Sequence, residues 1–159
     1  MTENPFAVLT AVVAPAILTN ACTVLSLGTG NRVARVVDRR RMVDESLALL
    51  PAGSPERAMK LAELERLRHR SRLLFKALRL LYAALGGFAG SALIAVIGSA
   101  MAFYEQKMLF QALAAVGLIV GVISVAALVA ASVTLVNEVR LALDSIGVEE
   151  SEHARQNAG

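Results

Sequence analysis

Apolar positions fall along this chain in two patterns. Residues 5–27, 80–103 and 108–136 form three stretches without a single Asp, Glu, Lys or Arg. An α-helix rises 1.5 Å per residue, so about 20 apolar residues cover the roughly 30 Å of a bilayer's hydrocarbon. Each stretch is long enough to span. Residues 32–79 differ, because apolar side chains there recur at helical spacing between charged ones. The pattern predicts an all-α protein of three transmembrane helices. A long cytoplasmic antiparallel helical hairpin lies between the first and second spans. The chain thus divides into four segments: 1–31 with the first span, the hairpin at 32–79, the second and third spans at 80–137, and an acidic cytoplasmic tail at 138–159.

The hairpin is written in local chemistry. Val33, Val36, Val37, Val43, Leu47 and Leu50 line one helix. Pro51-Ala52-Gly53 stops it, since Gly suits a left-handed cap and Pro cannot continue the ladder. Ser54-Pro55-Glu56 starts the next, with Ser as N-cap, Pro at the first helical position and an acid in the first turn. Leu64, Ser71, Leu78 and Leu85 are then seven apart, and Leu67, Leu74 and Leu81 come three residues after the first three. That is a coiled-coil seam running unbroken into the second span, to be filled within one chain or between chains.

Composition agrees with a lipid setting. Hydrophobic residues make up 56% of the 159, aromatics only 4%, and there is no Trp. Mean hydropathy is +0.59. The apolar material is therefore small and aliphatic, suited to close helix packing. Charge is partitioned along the chain. Residues 32–79 carry 13 of the 16 Lys and Arg, whereas the turn near residue 105 carries Lys107 alone. By the positive-inside rule, 32–79 and the tail are cytoplasmic and the N-terminus is outside. The leader at 1–4 has an acid and no base, unlike a secretory signal, so the first span reads as a retained anchor. The bases lack interleaved aromatics, which argues against nucleic acid as partner.

Candidate chemistry is sparse. In the first span Thr19, Thr23 and Ser26 project toward one side, with Asn20 and Cys22 flanking. Such a stripe either bonds neighbouring helices or lines a wet path. Gly28-Thr29-Gly30-Asn31 reads as a hinge or kink. Arg32, Arg35 and Arg39 form a basic face just inside the membrane, with Asp38 placed to pair with Arg35 or with a base on the second hairpin helix. Arg66, Arg68, Arg70, Arg72, Lys76 and Arg79 form a collar for anionic headgroups or, alternatively, a site for an anionic ligand. Gly86 with Gly90, and Gly117 with Gly121, make small-residue spacings that favour helix association. His69 and His153 are isolated, and one Cys cannot make a disulfide or a metal cluster within the chain. No enzyme, cofactor or metal is expected. Residues 149–159 read as disordered.

The run Asn31-Arg32-Val33-Ala34-Arg35-Val36-Val37-Asp38-Arg39 comes after an apolar span with Ala14-Pro15 and Asn20-Ala21-Cys22. With the Leu/Arg-rich helix around 68–81 and two further spans, it resembles the bacterial membrane family called domain of unknown function 2721, over roughly residues 5–140. The resemblance implies an integral membrane protein with no assigned activity, so it assigns no role to any residue. The expected function is a self-associating structural or interaction protein, a homo-oligomer in contact with the bilayer. The alternative is a small homo-oligomeric ion channel lined by the Thr19/Asn20/Thr23/Ser26 stripe.

Overall fold

The computed structural model describes the backbone of residues 5–103 and 107–156, and side chains over 13–101 and 108–142. The leader at 1–4 and the Glu105 turn lie outside the described residues, as do the side chains of Lys107 and His153. Three helices make up the described chain: α1 (Pro5–Leu49), α2 (Pro55–Phe103) and α3 (Lys107–Gln156), with no strand among the described residues. All three are long and apolar enough to cross a membrane. The apolar window of α3 has a mean hydropathy of 2.7, yet only 6% of it is buried. Water would penalise that much bare aliphatic surface, whereas hydrocarbon tolerates it.

The turn between α1 and α2 forms as the sequence predicts. Gly53 has φ of 85°, the left-handed conformation that the stop signal requires. Ser54 is the N-cap: its carbonyl accepts from Ala58 N–H at 3.2 Å, and its Oγ accepts from Arg57 N–H at 3.2 Å. Arg57 also donates from Nη1 to the carbonyls of Leu47 and Leu50, at 2.8 and 2.9 Å, satisfying orphan acceptors at the end of α1.

One sequence expectation is narrowed and one corrected. At Gly28–Asn31, read as a hinge or kink, α1 keeps its helical assignment and neither glycine has a positive φ. Two helical glycines cost about 1 kcal/mol each relative to Ala, which the packing of a long helix absorbs. The disordered tail is replaced by helix, since α3 continues through residue 149 to Gln156.

The chain divides into two compact units. One comprises Met1–Gly28 and Leu78–Ala131, the other Thr29–Ala77 and Ser132–Gly159. In the first, Cys22, Ala84 and Phe88 form a core, with Leu18, Leu85, Ala127 and Leu128 against it. Small residues set its spacing. Gly87 faces Ser124 so closely that a Cβ there would collide with Ser124 Oγ and approach Ser124 Cβ to 3.1 Å. A Cβ on Gly117 would come within 3.2 Å of Ile94 Cγ2. Gly86, Gly90 and Gly121 would meet nothing within 4 Å, so the close approach uses only Gly117 of the four glycines marked by their spacing. In the second unit Val36, Val43, Leu47, Leu64, Leu67 and Leu74 form the core, joined by Val33 and Leu135. The α2 seam is thus filled here by α1 and α3 of the same chain.

Candidate functional site

The second unit holds a buried ionic cluster. On α3, Ser124, Ala131 and Glu138 are seven apart and each is buried. Glu138 continues the inward face of that helix one period beyond Ala131. Its side chain is only 3% exposed. Arg70 of α2 clamps it, donating from Nε at 3.1 Å and Nη2 at 2.8 Å to Oε1. Arg32 of α1 places Nη1 3.6 Å from Oε2. Three helices therefore meet on one carboxylate.

Burial divides the three unequally. Arg70 is 29% exposed and Arg32 51%, so both guanidinium groups keep water on one side. The carboxylate has no such outlet, and the two arginines are its charge partners. Such a cluster fixes which turn of α3 lies opposite Arg70 and Arg32, the role best attested for buried polar groups in helical cores.

A second ionic group joins α1 to α2 within the same unit. Arg39 donates to Glu63 Oε1 from Nε at 2.9 Å and Nη2 at 2.7 Å, and Lys60 Nζ to Oε2 at 3.2 Å. Burial alone would raise the Glu63 carboxyl, but hydrogen bonds and charge from Arg39 and Lys60 outweigh it and hold it below its usual value. A lowered pKa gives stability that is present above the unfolded value, near 4.3, and lost as pH falls through the folded one. The melting-temperature gap between wild type and Glu63→Gln is therefore expected to be constant from pH 8 to pH 6 and to close below about pH 4. The pair is half exposed, so the gap corresponds to at most about 1 kcal/mol. A gap that widens on acidification would contradict the assignment.

The expected site residues scatter. Arg32 turns to Glu138, Arg39 to Glu63, and Arg35 stays exposed, so the basic face splits between two acids. Asp38 takes part in no ion pair among the described residues. From the collar, Arg70 faces inward, and Arg68 lies 3.6 Å from Glu65. Arg66, Arg72, Lys76 and Arg79 are exposed, without an ion pair among the described residues.

The polar stripe also divides. Ser26 is buried, with no hydrogen-bond partner for its Oγ among the described residues. Thr19 is half-buried, and its carbonyl accepts from Thr23 Oγ1 at 3.0 Å. Asn20 and Thr23 are exposed. The 100° step explains the division: Cys22, Ser26 and Thr29 share the inward face, while Asn20 sits across the helix from it.

The model of a family described as "Protein of unknown function (DUF2721)" matches residues 12–148. The chain belongs to the DUF2721 family. That segment includes all three members of the ionic cluster and most of each helix. Neither the curated proteins nor the solved structures contain a match to this DUF2721 chain. Among its described residues, no group of three or more His, Cys, Asp or Glu is placed to hold a metal.

Proposed function

We propose that this DUF2721 protein is a multi-pass scaffold of the bacterial inner membrane that associates with itself and with partner proteins. Its N-terminus is outside, and the Arg-rich helices and C-terminus are in the cytoplasm. The observation that carries this reading is the arrangement of charge in the second unit. Arg32, Arg70 and Glu138 satisfy one another inside, while Arg35, Arg66, Arg72 and Lys76 point outward without a counter-ion in the described chain. An internally paired core with an unpaired basic exterior suits docking on anionic headgroups or an acidic partner, each base adding about 1 kcal/mol near an anionic leaflet.

Sidedness is tested by thiol labelling of full-length protein in which Cys22 is replaced by Ser. Gln106→Cys is expected to react in intact cells, whereas Arg66→Cys reacts only after permeabilisation. The reverse pattern would overturn the orientation. Native mass spectrometry of nanodisc-embedded protein checks self-association, and a strictly monomeric species would end that part of the reading.

One observation favours a second reading, the small ion channel: Asn20 and Thr23 share the exposed side of α1 and could face a common axis. Reconstituted current that changes with Thr23→Val would establish it.

A further inference from the structure

The outward side of α1 in the first unit has its own order. Val13, Ile17, Asn20, Val24 and Leu27 are spaced four, three, four and three, and all are exposed. At 100° per residue they lie within about 80° of one another, a narrow seam opposite Cys22 and Ser26. The same alternation builds the contact line of a parallel coiled coil. Four members are aliphatic and three of these are β-branched, shapes that interdigitate well. Lipid could cover those four without cost. It cannot cover Asn20.

Asn20 lies seven residues inside the end of the uncharged stretch at Leu27, about 10 Å into hydrocarbon. No hydrogen bond engages its amide within the described chain, and acyl chains offer none. The group carries both donors and an acceptor, so an identical amide can satisfy it. Copies inserted with one orientation run parallel, and in a parallel pair equivalent positions face each other. Deepening the self-association proposed above, on which it rests, we propose that a second copy of this chain packs its α1 along this seam, with Asn20 facing Asn20 and each amide donating to its mate's carbonyl. Asn at such a position also fixes register, because a shift by one heptad would leave both amides against aliphatic side chains.

Oxidative cross-linking of full-length protein in native membranes tests this, with Cys22 replaced by Ser and single thiols introduced along α1. Ile17→Cys, Val24→Cys and Leu27→Cys are expected to give strong dimer bands. Ala21→Cys and Leu25→Cys, turned about 80° and 120° from the seam's centre, are expected to give at least fivefold less. In liposomes, energy transfer between labelled copies should need about tenfold more protein per lipid for Asn20→Val than for wild type, with Asn20→Gln in between. Because Asn20 is exposed and unpartnered, Asn20→Val should leave the melting temperature of the monomeric protein in excess detergent unchanged. Equal cross-linking around the helix, or undiminished association of Asn20→Val, would overturn the seam. If native mass spectrometry still shows oligomers in that case, self-association stands and another face makes it. A monomer throughout would remove both.

Discussion

Arg70→Met is expected to lower the melting temperature more than Glu138→Gln, although both disrupt the same ion pair. The reason is which partner remains. Without Arg70, the Glu138 carboxylate stays 3% exposed, with only Arg32 at 3.6 Å. Stranding a buried charge costs about 3–5 kcal/mol, and Arg32 moving closer holds the effect near the lower end. Without the charge on Glu138, both arginines still reach water, and a glutamine oxygen can accept from Arg70. That loss is nearer the roughly 1.5–3 kcal/mol of hydrogen bonds to charged groups, the smaller of the two. The double variant Arg70→Met/Glu138→Leu removes the need for pairing and should melt within a few degrees of wild type, since apolar replacement of a buried ion pair is often neutral or stabilising. Circular dichroism melts in one detergent check the order. Equal losses for the two single variants, or a double variant worse than either, would show that the cluster is not held by a buried carboxylate.

The cluster also marks the limit of what the chain discloses by itself. Turn chemistry at Pro51–Pro55 acts over a few residues, so the stop, the cap and the restart were all readable, and the structure reproduces them at Gly53 and Ser54. The leucine seam of α2 was readable because leucine seldom serves another purpose at that spacing; Leu64, Leu67, Leu74 and Leu81 are all buried. The hairpin face of α1 was readable too, since Val33, Val36, Val43 and Leu47 join the core, whereas the face of α3 was hidden by its composition. On α3 the buried positions among the described residues are Ser124, Ala131, Thr134 and Glu138, all small or polar, with Leu128 and Leu135 only partly buried beside them. Hydropathy ends the span near Val136 and assigns the residues beyond it to an acidic tail. The seven-residue interval was the available signal, and it was masked by small and charged side chains. On α1 the hydroxyls drew attention to one polar stripe, whereas burial separates Ser26 from Asn20. Polarity alone does not say which side of a helix faces its neighbours.

The second large effect is expected at Gly87, and its cause is the same distinction between composition and facing. Gly86 and Gly90 have the spacing associated with helix contact, yet a Cβ at either meets nothing within 4 Å, while one at Gly87 collides with Ser124 Oγ. Gly86→Ala should therefore be neutral or slightly stabilising, since Ala is favoured over Gly by about 1 kcal/mol in a helix interior. Gly87→Ala gains the same propensity but must displace Ser124. That hydroxyl donates to the Val120 carbonyl at 2.7 Å, and its Cβ lies 3.1 Å from the new methyl. Rotation relieves the oxygen, but the Cβ recedes only if α3 shifts. Overpacking of this kind costs about 1–3 kcal/mol. The larger Gly87→Leu should separate the helices and abolish the folded species in detergent. Ser124→Gly removes both obstructing atoms, so Gly87→Ala/Ser124→Gly should recover most of the lost melting temperature, although Ser124→Gly alone is destabilising. A rescue of that sign needs the two positions to touch. If the effects of the two substitutions merely add, α2 and α3 do not approach each other through Gly87.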